Sequence, residues 1–402
     1  MSARIVAATG ASEALEDSYA AGREAASAAL AGVGDVVPAP GRAVALLFAS
    51  IAFDLAEVLR GVRDVLGVPV IGCTTYSEAT ERGFFDDSVA VMLLAGDGLR
   101  VGYAVSEGLA DDVEGAVARA WAAAAAMLGE APRLALAFPD AALINEGERV
   151  VDALAAVSGG AVPIAGGAPG DGGRFQKTWQ AVDDRVSSGS LPLLLLGGDF
   201  DAHVITRTGW SPIGEPITVT RAAGNRISRV GNLPVVDYVN RYTASLEPAV
   251  LGTYPLGLVD ETATSGGVSH YVIRSPFFYD AEHDALVLGG VVREGARVQL
   301  GRNSRDDVLA SADDAATALR AAVGDRAPTA VFFASCGARR LMLGHMTGRE
   351  PETLVERLGA TVPLAGFYSY GEIGAFDSRD PALSALRYHN CTLVLCAIVA
   401  RG

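Results

Sequence analysis

One order of apolar and polar positions recurs three times along the chain. Short apolar runs at 44–48, 134–138 and 330–334 are each followed by an amphipathic helical stretch and then by one phrase, read as Pro69-Val-Ile-Gly72, Pro163-Ile-Ala-Gly166 and Pro363-Leu-Ala-Gly366. Beyond a polar loop comes another apolar run, at 89–94, 191–196 and 392–398. The helical stripes are explicit: Leu55, Val58, Leu59, Val62, Val65 and Leu66 share one face, as do Val150, Val151, Leu154 and Val157. Each segment therefore reads as strand, helix, strand, loop, strand. A strand-helix-strand crossover implies parallel pairing, and the strand after the loop is free to return antiparallel. Equivalent strands are expected to occupy equivalent positions in similar sheets.

The remaining elements follow from caps and turns. A strand to Thr9 leads to a helix over 12–30 with Ser12 as its N-cap. A strand at 99–105 precedes an alanine-rich helix over 111–128 that opens with acids, as the macrodipole favours. Helix starts are expected at Pro234, with Val235, Val236, Val239 and Tyr242 on one face, and at Asp306, with Val308, Leu309, Ala312, Ala316 and Leu319 turned inward. Apolar runs at 285–292 and 297–300 around Glu294-Gly295 carry a hairpin signal. The fold class is α/β: two related domains of mixed β-sheet flanked by helices, divided at the polar stretch 221–229 into 1–225 and 226–402.

Composition narrows the function classes. Half of the 402 residues are hydrophobic and 47 are glycine, which fits a folded α/β protein rather than a disordered one. A net charge of −15 speaks against nucleic acid or anionic membrane as a partner. Lys177 is the only lysine, which removes Schiff-base and P-loop chemistry elsewhere. The opening Met1-Ser-Ala-Arg lacks the pattern of a signal peptide, and no stretch suits a bilayer span, so a cytoplasmic location is expected. Cys73, Cys336, Cys391 and Cys396 show no Cys-x-x-Cys spacing and are expected as reduced thiols.

The densest candidate chemistry lies in Val362-Pro-Leu-Ala-Gly-Phe-Tyr-Ser-Tyr-Gly-Glu-Ile-Gly374. If extended, it places Tyr368, Tyr370 and Glu372 on one face, with Gly371 between them. Arg339 follows a strand end and has the fork to hold a carboxylate, while Glu372 has the charge to receive an ammonium group. With Asn390 and Cys336 they form a candidate recognition surface for a zwitterion. Arg339 reads equally as a solvated surface charge, Glu372 as a salt bridge inside the domain, the tyrosines as core or interface aromatics, and Asn390 as a turn or strand-edge hydrogen bonder. The loop Gly166-Gly-Ala-Pro-Gly-Asp-Gly-Gly173 reads as a turn or as a cradle of amides for an anion; it fits neither the Walker nor the dinucleotide pattern.

Several motifs taken together resemble the FIST family of sensory proteins. They are Phe333-Ala-Ser-Cys-Gly-Ala-Arg339, Gly366-Phe-Tyr-Ser-Tyr-Gly-Glu-Ile-Gly374, His389-Asn-Cys-Thr-Leu-Val-Leu395 and Tyr254-Pro-Leu-Gly257, with Ile71-Gly-Cys-Thr74, Asp87-Ser-Val-Ala-Val91 and Pro163-Ile-Ala-Gly-Gly167 in the first half. The resemblance implies ligand sensing upstream of histidine kinases, cyclic-dinucleotide enzymes or chemoreceptors, with amino acids as a ligand class. It also implies, for some members, haem-based sensing of nitric oxide. The sequence has no room for a fused output domain, so the signal is expected to pass to a separate protein.

Three function classes follow: a sensor of a small metabolite without a cofactor, a haem sensor, and a cysteine-dependent enzyme. The haem reading needs an axial ligand in an apolar pocket, with His389, His270, His203 and His345 as candidates. The enzyme reading pairs Cys336 with His389 as nucleophile and base. The sensor reading is favoured.

Overall fold

The computed structural model describes residues 4–141, 146–243 and 245–401. Three units share one order of elements. The first runs β1 (Val6–Ser12), α1 (Ser18–Gly32), β2 (Ala43–Ser50), α2 (Leu55–Leu66), β3 (Val70–Thr75), the hairpin β4 (Glu78–Thr80) and β5 (Gly83–Phe85), then β6 (Val89–Ala95). The second repeats it as β7 (Leu99–Ser106), α3 (Val113–Leu128), β8 (Leu134–Ala137), α4 (Gly147–Ser158), β9 (Ile164–Gly167), β10 (Gln180–Val182), β11 (Arg185–Ser187) and β12 (Leu191–Gly198).

The third unit opens with β13 (Phe200–Thr208) and is then interrupted. The insertion comprises β14 (Ser211–Ala223), β15 (Arg226–Val230), β16 (Leu233–Pro234), α5 (Val235–Val239), α6 (Pro248–Leu251), β17 (Leu256–Ser265), β18 (Val268–Arg274), β19 (Pro276–Asp280), β20 (Ala285–Leu288) and β21 (Arg297–Arg302). The unit resumes with α7 (Arg305–Val323), β22 (Ala330–Cys336), α8 (Gly337–Leu343), α9 (Arg349–Leu358), β23 (Leu364–Ser369), β24 (Glu372–Gly374), β25 (Arg387–His389) and β26 (Thr392–Ala400).

Each unit builds one six-stranded sheet and lends its hairpin to another. The orders are β1-β6-β2-β3-β10-β11, β25-β24-β9-β8-β12-β7 and β13-β26-β22-β23-β4-β5. The hairpin of the first unit thus completes the third sheet, that of the second the first sheet, and that of the third the second sheet. The exchange is cyclic. The inner faces of the sheets meet in one core centred on Phe48, Phe138, Phe332 and Phe367, whose ring centroids lie 4.9–6.3 Å apart. The outer faces are covered by α1 and α2, by α3 and α4, and by α7 and α9. The inserted strands form a fourth sheet with its own apolar cluster.

The repeated Pro-x-x-Gly phrase has a steric cause. Gly72, Gly166 and Gly366 stand beside Leu47, Ala137 and Phe333 on the parallel neighbour strand. A Cβ at any of the three would lie 1.7–2.0 Å from that residue's carbonyl oxygen. Only glycine lets the two strands approach so closely. β3, β9 and β23 therefore hold equivalent places in the three sheets, as the repeat predicts, and the last strands β6, β12 and β26 return antiparallel to β2, β8 and β22.

Four expectations change. The first helix begins at Ser18, because the side chain of Asp17, not Ser12, accepts from a first-turn amide, that of Ala20; Ser12 continues β1 and bonds Glu24. The helix expected from Pro234 to Tyr242 is limited to Val235–Val239. The apolar runs at 285–292 and 297–300 do not pair with each other: β20 lies between β15 and β19, and β21 between β14 and β17. The segment 362–374 is not one strand, since it leaves the third sheet after Ser369 and enters the second at Glu372. The 225/226 division falls at the tip of the β14–β15 hairpin, where Ala223 pairs Arg226, and two of the three exchanged hairpins cross it.

Candidate functional site

The hairpin exchange places Glu78, Gln180 and Glu372 opposite Phe367, Cys73 and Gly167, the fourth residues of β23, β3 and β9. All three side chains are fully buried. Each bonds a hydroxyl at the head of its own unit's last strand: Glu78 Oε2 accepts from Ser88 Oγ at 2.6 Å, Gln180 Oε1 from Ser190 Oγ at 3.0 Å, and Glu372 Oε2 from Thr392 Oγ1 at 2.9 Å. Burial raises the carboxyl of Glu78 to about 7, against the hydrogen bonds from Ser88 and Thr75 that lower it. It pushes that of Glu372 far above the carboxylate range. The acid proposed to receive an ammonium group is thus part of a buried polar junction.

Arg339 is fully buried as well. Its Nε and Nη2 donate to Glu350 Oε1 at 2.8 and 2.5 Å, Nη1 donates to Ser311 Oγ at 3.0 Å, and Nη2 also donates to the Val308 carbonyl at 3.0 Å. Glu350 in turn accepts from Ser335 Oγ. Tyr368 packs edge-on against Phe84 and Phe333 in the same region, with no surface exposed. Tyr370 lies elsewhere, stacked on the exposed Phe175 at 4.3 Å, with its hydroxyl bonded to Asp171. Gly371 admits the Tyr388 ring, whose hydroxyl would lie 2.0 Å from an added Cβ. Asn390 accepts from the Ser275 amide at 3.1 Å and donates to the His389 carbonyl at 3.0 Å, as a turn former does.

The glycine-rich loop supplies a carboxylate of its own, Asp171, and the amides that hold it belong to the residues that follow the loop. Asp171 accepts from the backbone amides of Arg174, Phe175, Gln176 and Lys177 at 2.6–3.0 Å. Together with the Tyr370 hydroxyl these donors hold its carboxyl below the usual range, against the opposing effect of burial.

The histidines do not fit a haem. His389 is fully buried against Phe376, its Nε2 is 3.0 Å from the Gly374 carbonyl, and burial lowers it to about 3. His270 stacks on Phe376 at 5.2 Å, His203 is half-buried, and His345 is exposed. Cys336 offers no thiolate: a hydrogen bond with Cys391, then burial, pushes its thiol well up.

A cleft of about 690 Å³ opens where the second unit meets the inserted sheet. One wall is α4 and the residue preceding it, with Glu146, Glu148, Arg149 and Asp152. The other is formed by Glu261 of β17, Arg274 of β18, the loop between β20 and β21 with Arg293 and Glu294, and Arg387 and Tyr388 of β25. Arg274 is almost fully buried; its Nη1 donates to the Ile273 and Tyr388 carbonyls, and Nη2 lies 2.5 Å from Glu148 Oε1. Burial raises the Glu148 carboxyl, opposed chiefly by the charge of Arg274. Among the described residues Glu148 Oε2 makes no well-aligned hydrogen bond and Arg387 Nε has no hydrogen-bond partner, although both atoms are buried. A buried carboxyl paired with Arg274 on one oxygen only, its other oxygen without a well-aligned donor, and an unpartnered guanidinium nitrogen thus line one cleft, a feature expected of a ligand site rather than of a core.

Comparison with known proteins matches residues 43–232 to the FIST N domain and 235–375 to the FIST C domain. The chain belongs to the FIST family. FIST domains are signal-transduction sensor domains, so the resemblance carried by the motifs is confirmed at the level of the family. Uncharacterized proteins of Mycobacterium bovis and Mycobacterium tuberculosis are 31% identical over 224 residues, covering 54% of this chain and 57% of theirs. A further uncharacterized protein of M. tuberculosis is 31% identical over 218 residues, covering 52% of this chain and 56% of its own. The chain thus spans about half the length of the curated relatives it matches. The crystal structure of a cyanuric acid hydrolase from A. caulinodans aligns over 99% of both chains at 10% identity, with a TM-score of 0.39. No helix among the described residues is long and apolar enough to cross a membrane.

In this FIST protein the cleft joins the two matched domains, because α4 lies in the N domain and Arg274 in the C domain. Of its charged residues, sequence reasoning singled out none. Arg274 carries the one visible signal, a charge closing the strand Tyr271-Val-Ile-Arg274. Glu148 and Arg387 carry no local signal, since what distinguishes them is tertiary burial.

Proposed function

We propose that this FIST protein is a sensor that binds a small zwitterionic metabolite of the amino-acid class in the cleft between α4 and the inserted sheet, and that it signals to a separate output protein such as a histidine kinase or a cyclic-dinucleotide enzyme. The observation that carries the reading is Arg387 Nε, buried without a hydrogen-bond partner among the described residues, lining one cleft with Glu148 Oε2, which has no well-aligned donor. A carboxylate with an open acceptor suits an ammonium group, and a guanidinium with an open donor suits a carboxylate. The cleft replaces Arg339 and Glu372 in these two roles, since Arg339 is engaged by Glu350 and Glu372 by Ser369 and Thr392. We read the protein as binding rather than catalytic, a reading supported by the raised thiol of Cys336 and the lowered imidazole of His389.

The test is a thermal-shift screen of amino acids and related metabolites on the intact chain. A ligand at a hundredfold excess over its Kd stabilises the native state by about 2.7 kcal/mol. Arg387→Gln and Asp152→Asn, which spare the Arg274–Glu148 pair, should both reduce the shift. Shifts of wild-type size in both variants would move the site out of the cleft.

A further inference from the structure

Phe175 is 59% exposed to solvent and stands in the left-handed region, with a φ of 52°. One exposed apolar side chain means little by itself, but this one belongs to a continuous row of rings. Phe175 tilts against Phe277 of β19 at 5.8 Å and stacks on Tyr370 at 4.3 Å. Tyr370 meets Tyr76 edge-on at 6.2 Å, and the Arg340 guanidinium lies 4.2 Å over the Tyr76 ring and 5.9 Å from the Phe84 ring. Phe277, Tyr76, Arg340 and Phe84 are each partly exposed. The row draws on all three units and on the insertion, so only the complete fold assembles it.

Charge at Phe175 is positive in a chain whose net charge is −15. The Asp171 carboxylate gathers the amides of residues 174–177 within 2.6–3.0 Å, so Arg174, Phe175, Gln176 and Lys177 fan out from one point, and all four are exposed. Arg174 and Lys177 form no ion pair among the described residues; the Lys177 ammonium sits 4.0 Å over the Trp179 ring. The carboxylates next to the row are occupied, Asp171 by those amides and Asp86 by Arg340 and Ser77. Two uncompensated cations thus flank an exposed phenylalanine that its own loop holds in place.

We propose that this surface is where the separate output protein docks, and that the partner presents an acidic segment with an apolar side chain that packs on Phe175. The inference rests on the reading that the signal passes to a separate protein. An acidic partner is repelled by most of a chain of this charge and is attracted at the Arg174–Lys177 turn, which fixes where it lands. Aromatic rings and arginine are the side chains on which interface energy concentrates. A phenylalanine already ordered by the Asp171 hydrogen bonds loses little further freedom on binding.

The test uses the intact chain and three pools of short dye-labelled peptides of random order, read by fluorescence anisotropy. One pool is built from Asp, Glu, Leu and Phe, one from Asp, Glu, Gly and Ser, and one from Lys, Arg, Leu and Phe. The first should bind at concentrations where the other two do not, and added salt should weaken it. Phe175→Ala, and Arg174→Gln combined with Lys177→Gln, should each weaken that binding by about tenfold or more while thermal unfolding stays at wild type, since all three side chains are exposed. Arg387→Gln in the cleft should leave it unchanged. No binding of the first pool, equal binding of the basic pool, or wild-type binding in both loop variants overturns the inference. So does a dimer in sedimentation that Phe175→Ala dissociates, because a second copy is then the occupant. The amino-acid thermal shift judges the sensor reading separately: a shift in the wild type that Phe175→Ala retains, with no peptide binding, overturns the docking surface alone.

Discussion

Arg339 and Glu350 form an ion pair with neither side chain exposed to solvent, Nη2 lying 2.5 Å from Oε1. The pair ties the start of α8 to α9, and Ser335 and Ser311 complete its hydrogen bonds. Removing one partner of such a pair leaves an uncompensated buried charge. Arg339→Ala should therefore cost about 3–5 kcal/mol of stability, read from denaturant midpoints at constant slope. A double replacement by apolar residues of similar volume should cost much less than the single change. Wild-type stability in Arg339→Ala combined with weaker ligand binding would return this arginine to the recognition site.

The buried acid Glu78 links stability to pH. Its carboxyl titrates near 7 in the folded chain and near 4.5 when exposed, so the folded state holds the proton more tightly. Stability from this group is complete below pH about 4.5 and is lost as pH rises through about 7, a change of about 3 kcal/mol. Glu372, raised in the same sense, adds to the trend at higher pH. Glu78→Gln should flatten the decline between pH 5 and 7 in denaturant titrations, a window bounded by those two values. An unchanged slope in that variant would show that the carboxyl is not held protonated.

Tyr370 and Asp171 make a prediction about order in the loop. Phenylalanine at 370 keeps the stacking on Phe175 but removes the hydroxyl that bonds Asp171 and accepts from the Gly173 amide. Tyr370→Phe should cost about 1.5–3 kcal/mol, and hydrogen exchange of the amides at 174–177 should quicken, because Asp171 then holds them less firmly. Exchange unchanged from wild type would mean that the backbone shapes the loop without the tyrosine.

The repeat was legible in the sequence because its cause is local in each unit. Three glycines facing three carbonyl oxygens leave the same mark three times, and Gly166→Ala should lose at least 1–3 kcal/mol from overpacking, read by thermal unfolding, where a surface Gly→Ala change would lose little. The hairpin exchange was not legible, since nothing in Glu78-Ala-Thr80 says which sheet it completes. The alternation that placed Tyr368, Tyr370 and Glu372 together failed for the same reason: the chain changes sheets at Tyr370-Gly371, and side-chain period holds only within a strand. Burial of Arg339 was not legible: the sequence offered a ligand contact or a solvated surface charge, and the pairing that buries it depends on Glu350, eleven residues away and on another helix.

The cyclic exchange makes the last prediction the most demanding for the sequence-based division at 225/226. Residues 1–225 include β4 and β5, whose outer partner strand β23 lies in the other piece, and β13, whose partner β26 does too. Residues 226–402 include β24, whose partner β9 lies in the first piece, and β15, whose partner β14 is left behind. Separation therefore strips strands from the second and third sheets, opens the inserted sheet, and exposes the aromatic core at Phe48, Phe138, Phe332 and Phe367 to water. Edges left unpaired in this way invite aggregation. Expressed alone, each piece should lack the cooperative thermal transition of the whole chain and bind a dye for exposed apolar surface. Co-expressed, the two should associate and recover both the transition and the cleft, because every broken pairing has its partner in the other piece. A cooperative transition in the isolated 226–402 piece would show that its strands find a stable arrangement without the exchange.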